Sequence, residues 1–337
     1  MKALAKKNLA DALALLAGQA TVWVPAKVAG VTRFAPWSPA VTLDLEATPP
    51  AVSPKEILLP ETESLYRYSA YGMDVTFEAV EQEVPPTIIW GIHSCDVQAI
   101  LCQDDVFLSR EPQDAAYAKR RAATTLVALA CTTPGPDCFC TSMGLEPAEH
   151  ASTDVQLHIL TDGYGVEART ARGEEIVARL AEKGLLVETI EPPAKAQACT
   201  RAVNPEGIDK KLVEMFEHPY WDELAATCLN CGACTFLCPT CHCFDLTDHR
   251  RNAHEGTKIR CWDACMFTEY TVMAGGHNPR PGKKERVRQR FMHKLRYFPE
   301  RYGKWQCTGC GRCVARCPVH IEITDVIKEV GEVTLDG

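Results

Sequence analysis

Residues 228–239, CLNCGACTFLCP, and residues 307–318, CTGCGRCVARCP, repeat one pattern, C-x2-C-x2-C-x3-C-P. Three thiolates at that spacing wrap one face of a [4Fe-4S] cubane, and the fourth, set before proline, reaches the other cluster of a pair. The expected ligand sets are Cys228, Cys231, Cys234 and Cys317 for one cluster, and Cys307, Cys310, Cys313 and Cys238 for the second. Structural zinc takes four ligands, typically as two separated C-x2-C pairs, which leaves a third close cysteine in each run without a role. A disulfide framework suits short secreted chains. This chain has 337 residues, 46% of them hydrophobic, which is ample for an apolar core.

Around these runs, from about residue 205, the chain reads as cysteine-dense, basic and helical. The runs start 79 residues apart, so the interval 239–306 is expected to be an insertion with its own structure or function. It carries Cys241, Cys243, Cys261 and Cys265, a candidate fourth site for which a local zinc or free thiols are the alternatives. His242 stands among them as a further donor. From Arg280 to Lys304 there are ten Lys/Arg against two acids. Such a run suits a docking surface or compensation of thiolate charge better than a solvated face or a nucleic-acid site.

Upstream, short β-rich runs alternate with helix-compatible ones, the pattern of an α/β sheet. Strands are expected at Thr21–Val24, Ile57–Leu59, Thr87–Ile92, Thr125–Ala130, Val155–Leu160 and Leu185–Ile190, with helices at 96–109 and 114–123. Cys95 follows one strand and Cys131 ends another, and the carboxyl ends of strands in such sheets open into the ligand crevice. Cys138 and Cys140 return over the same crevice after the loop TTPGPD. Cys95, Cys131, Cys138 and Cys140 thus make a candidate third [4Fe-4S] site, with buried free cysteines as the alternative. Asp96 is expected to cap the following helix. Pro192 and Pro193 mark the boundary of an α+β chain: an α/β sheet domain over 1–195, then a mainly helical, ferredoxin-like dicluster domain over 205–337 with its insertion.

Lys2, Lys6 and Lys7 before an apolar stretch imitate a signal peptide. Asp11 interrupts that stretch, and Leu4, Leu9, Leu13 and Leu16 share one helical face, which favours a helix packed on its own domain. Eighteen clustered cysteines imply metal ligation and a reducing, cytoplasmic setting. A net charge of −8 argues against a general nucleic-acid binder. No apolar run approaches the roughly 20 residues that span a bilayer, so no direct membrane insertion is expected. Neither G-x-G-x-x-G after a strand nor a P-loop pattern occurs, and a less marked flavin site stays open.

The stretches CLNCGACTFLCPTCHCFDL, IRCWDACMF, MAGGHNPR, RFMHKLRYF and CTGCGRCVARCPVHIEI together resemble one family. It comprises the beta subunits of soluble sulfhydrogenase-type nickel–iron hydrogenases and the A subunit of anaerobic sulfite reductase. Upstream, IIWGIHSCDVQAI, YAKRRA and ALACTTPGPDCFCTSMG resemble the N-terminal domain of the same proteins. Cys261 departs from the family's pattern. The resemblance implies a non-catalytic subunit of an anaerobic, hetero-oligomeric oxidoreductase. Such a subunit relays single electrons between a flavin subunit handling NAD(P)H or ferredoxin and a catalytic subunit, whether hydrogenase, sulfite or sulfur reductase, or a bifurcating complex. The cofactors expected are two [4Fe-4S] clusters, with one or two more if the other cysteine sets are filled. The alternatives are a flavin-containing reductase acting directly on a small substrate and a zinc-stabilised interaction protein.

Overall fold

Apolar residues on both faces of a strand favour burial between helices, and the centre of the first sheet follows that rule. The computed structural model describes residues 1–46 and 48–334. Its strands are β1 (Lys2–Ala5), β2 (Thr21–Val28), β3 (Val31–Pro36), β4 (Thr62–Tyr71), β5 (Asp74–Ala79), β6 (Thr87–Ile92), β7 (Thr124–Leu129), β8 (Val155–Leu160), β9 (Gly163–Ala168), β10 (Leu186–Glu188), β11 (Phe244–Arg250) and β12 (Glu255–Trp262). The larger sheet has the order β10-β1-β9-β8-β7-β6-β2-β3. Its centre, β2, β6, β7 and β8, is parallel, and antiparallel strands close both ends.

Successive side chains on a strand face opposite ways. Ile88, Trp90, Val127 and Leu129 accordingly join one core with the helix Leu9–Ala17 and the helix Ala171–Glu182. Ile89, Ile92, Leu126 and Ala128 join a second core with Val97, Ile100 and Phe107 of the helix Ser94–Leu108. The N-terminal leucines therefore pack in the core of the larger sheet, although Leu4 lies in a strand and the helix starts only at Leu9.

Ile57–Leu59 is not a strand: a helical turn spans Lys55–Leu58, with Leu58 and Leu59 buried. A short apolar run has no period of its own, and the preceding Pro54 favours a helical start here. Nor does Asp96 cap its helix, because His93 occupies that position in extended backbone. The insertion is not helical throughout either. It opens with the β11–β12 hairpin, and β12 pairs with β4 to form a second, antiparallel sheet, β11-β12-β4-β5. Two of its strands come from each half of the chain.

A third core surrounds the cysteine runs. Leu212, Trp221, Phe291, Leu295, Ile327 and Val330 pack together from the helices Ile208–Glu214, Tyr220–Ala226, Lys283–Met292 and Ile323–Glu332, and from the turn that follows Met292. The helix ending at Met292 continues as a π-helical turn over His293–Tyr297, a geometry frequent at functional sites. Among the described residues no helix is long and apolar enough to cross a membrane.

Candidate metal centres

The two runs fold alike. In each, a glycine at positive φ, Gly232 at 73° and Gly311 at 75°, precedes a one-turn helix that carries the third cysteine. Gly311 also permits a close approach, since a Cβ there would stand 2.5 Å from the Asp137 carbonyl oxygen. Cys228, Cys231, Cys234 and Cys317 line one small cavity, shared with Arg290 and Phe291. Burial raises the Cys234 thiol, Arg290 opposes the rise, and Cys228, Cys231 and Cys317 add to it. The fourth cysteine of the second run thus lies with three of the first.

The reciprocal set has the same character. Burial pushes the Cys307 thiol up to about 12 and the Cys310 thiol to about 11, with Lys294 and Arg312 respectively opposing, and Cys238 adds to both. Cys313, raised by burial against Arg290, senses Cys238 as well. Backbone amides point at the sulfurs: Asn230 N–H donates to Cys228 Sγ at 3.4 Å and Ile321 N–H to Cys317 Sγ at 3.2 Å. Such hydrogen bonds tune cluster potentials.

The middle of the basic run is turned away from solvent. Arg286, Arg288, Arg290 and Lys294 are all buried, Arg290 at 4% exposure and Lys294 at 3%. Lys294 Nζ donates to Cys238 Sγ at 3.2 Å and to Thr240 Oγ1 at 2.9 Å. Arg290 Nε is buried and has no hydrogen-bond partner among the described residues. Among the described residues neither cation has a carboxylate in salt-bridge range; the thiols of Cys234, Cys313, Cys241 and Cys238 surround Arg290 instead. A buried cation costs several kcal/mol unless an anion faces it. Iron–sulfur clusters with four thiolate ligands are net anionic, so the donor set and its charged surroundings fit two of them. Bound there, they would supply reversible one-electron transfer. Among the described residues no group of three or more Cys, His, Asp or Glu forms a sphere for a single ion. The four thiolates of a cubane each bind a different iron and stand further apart than the ligands of one ion.

In the upstream set, Cys131, Cys138 and Cys140 lie together, and Cys199, absent from the sequence-derived set, lies with them. Cys140 Sγ and Cys199 Sγ are 3.5 Å apart. Cys95 packs against Cys140 and Cys310, next to the second run. Cys138 Sγ contacts the Cys310 carbonyl oxygen at 3.7 Å, and Phe139 N–H donates to Gly309 O at 2.8 Å. Beside them, Asp96 forms a bidentate pair with Arg312, at 2.6 and 2.7 Å, that joins the helix after β6 to the second run.

In the insertion, Cys241, Cys243 and Cys265 converge. A hydrogen bond from Cys265 holds the Cys243 thiol down at about 6, with burial opposing and Tyr270 assisting. Cys241 and Cys238 are hydrogen-bonded, which lowers Cys238 and raises Cys241. Cys261 stands apart on β12, opposite Asp245, with Asp245 and Asp263 as its charged neighbours. His242 is half-buried, with its ring against Phe107 and His293, and burial lowers it to about 4. Cys102 is buried against the Trp305 carbonyl oxygen.

Residues 227–321 match the family of 4Fe-4S dicluster domains. Over 252 residues the chain is 35% identical to the sulfhydrogenase 2 subunit beta of Pyrococcus furiosus, an alignment covering 73% of this chain and 74% of that one. The chain belongs to the sulfhydrogenase beta-subunit family. Its dicluster segment contains both cysteine runs, the β11–β12 hairpin and the buried basic helix, so this iron–sulfur protein carries the insertion within the matched domain rather than beside it. The structure separates Cys261 from the other insertion cysteines.

Proposed function

We propose that the chain is the electron-relay subunit of a multi-subunit oxidoreductase. One [4Fe-4S] cluster is held by Cys228, Cys231, Cys234 and Cys317 and a second by Cys307, Cys310, Cys313 and Cys238. The observation that carries this reading is the pair of buried cations, Arg290 and Lys294, set among interleaved thiols without carboxylate partners. The upstream thiols adjoin Cys310, and Cys313 adjoins Cys234, so a single-electron path runs from the sheet domain through the second run to the first. The convergent Cys241, Cys243 and Cys265 extend the thiol-lined region on the insertion side.

In this reading the chain divides into a sheet domain, 1–195, and a dicluster domain, 205–337. The path exchanges electrons with other subunits at both ends, which makes the chain a hetero-oligomeric component. A flavin subunit using NAD(P)H, or ferredoxin, supplies or takes electrons at one end and a catalytic subunit does so at the other. Hydrogenase is the first candidate, given the family, with sulfite or sulfur reductase and bifurcating complexes as further ones. Co-purification from the native host identifies the partners.

Anaerobic purification and iron analysis test the core of the proposal. About eight irons per chain are expected from the two runs and twelve or more with the further sites filled. Stoichiometric zinc, or about four irons or fewer after full reconstitution, would falsify it. Lys294→Met tests the role of the buried charge. The ammonium stabilises the more negative, reduced state of the cluster it faces, so its loss should lower that potential. A unit charge a few ångströms away is worth about 3 kcal/mol at an effective dielectric near 20, on the order of 100 mV for one electron. Redox titration followed by electron paramagnetic resonance measures the shift. No change beyond titration error would remove Lys294 from the tuning of this centre.

A further inference from the structure

We infer that the upstream iron–sulfur site takes Cys199 as its fourth ligand, so that the set is Cys131, Cys138, Cys140 and Cys199, with Cys95 outside it. This inference rests on the relay reading and adds a ligand that lies beyond the sheet itself.

Hydrogen bonds and an ion pair hold Cys199 at the site from both sides. Before it, Ala194 N–H donates to Ile159 O and Gln197 N–H to Thr132 O, both at 2.9 Å, which lays the segment across β8 and onto the loop after β7. After it, Arg201 pairs with Asp137 at 3.4 Å, and Val203 N–H donates to Ser142 Oγ at 3.0 Å. Asp137 and Ser142 bracket Cys138 and Cys140, so the segment crosses the thiol-bearing loop with Cys199 between its two anchors. Its Sγ then stands 3.5 Å from that of Cys140.

The neighbouring thiols register the same grouping. After burial, Cys199 is the leading influence on Cys131 and on Cys140, and it also acts on Cys138. Cys95 lies in a different environment: its leading neighbours are Asp96, Arg312 and Cys310, ahead of Cys140. Its place is between the upstream set and the second run, where it packs against both. On ligation each of the four thiols gives its proton to solvent and bonds one iron of an assembled [4Fe-4S] cluster through sulfur, with no change of oxidation state.

Whole-chain protein reconstituted anaerobically with iron and sulfide tests this by iron and labile-sulfide content and by electron paramagnetic resonance of the reduced state. Cys199→Ala should lose about four irons and one signal relative to the unmodified chain, while Cys95→Ala keeps both. Retention of the about eight irons of the two runs by Cys199→Ala, with an unchanged circular dichroism spectrum, shows that the variant has folded. Loss in Cys95→Ala, alone or alongside Cys199→Ala, overturns the assignment and leaves the relay reading standing. So does an unmodified chain that binds only about eight irons. About four irons or fewer in the unmodified chain sinks the relay reading itself, and this inference with it.

Discussion

Asp96→Ala is expected to cost about 3–5 kcal/mol of stability, the usual penalty for removing one partner of a buried ion pair. Both carboxylate oxygens of Asp96 accept from the Arg312 guanidinium, and the two side chains are 0% and 2% exposed. The Arg312 Nε–H also donates to the Pro50 carbonyl oxygen at 2.7 Å. Without Asp96 the guanidinium keeps that one bond but remains buried without its paired carboxylate, with the Cys310 and Cys95 sulfurs left to oppose its charge. A well-packed apolar pair is often neutral in such a position, so Asp96→Leu combined with Arg312→Met should recover much of the loss. Denaturant titration of the anaerobic protein measures both. A single variant as stable as the parent would show that water or another anion reaches Arg312.

Cys238→Ala and Cys317→Ala should each remove about four irons, but from the cluster of the opposite run. The double variants distinguish this from ligation within a run. Cys238→Ala with Cys228→Ala should lose about eight irons, because it breaks both clusters, whereas Cys238→Ala with Cys307→Ala should lose only about four. Ligation within each run gives the reverse result for those two pairs. The grouping of Cys317 with Cys228, Cys231 and Cys234 around one cavity predicts the first outcome. Iron analysis and the spectra of the reduced variants decide between them.

The cysteine runs were legible because their chemistry is local: spacing of two and three residues decides which way consecutive thiols point. The central strands were legible for a similar reason, since Ile88, Ile89, Trp90 and Ile92 form a continuous apolar run that only a strand covered on both faces buries. Asp96 was misread because position near a helix start suggested a cap, whereas its partner Arg312 is 216 residues away. Cys199 gave no signal at all. It follows a Pro-rich linker, outside any strand or motif, and reaches the upstream thiols through tertiary contacts with β8, with the loop after β7 and with Ser142.

The basic helix illustrates the division most clearly. Ten Lys/Arg between Arg280 and Lys304 can be counted in the chain, but whether they face water, a partner or the clusters depends on which of them are buried, and against what. By itself the sequence determined the dicluster chemistry and the α/β character of the first half, because these rest on spacing and period, and its motif stretches carried the resemblance to a beta-subunit family. Only the tertiary structure decided that Lys294 faces Cys238, that β12 joins β4, and that Cys199 stands beside Cys140. Those pairings join residues tens to hundreds of positions apart, and chain closure over such distances leaves no periodic trace along the sequence.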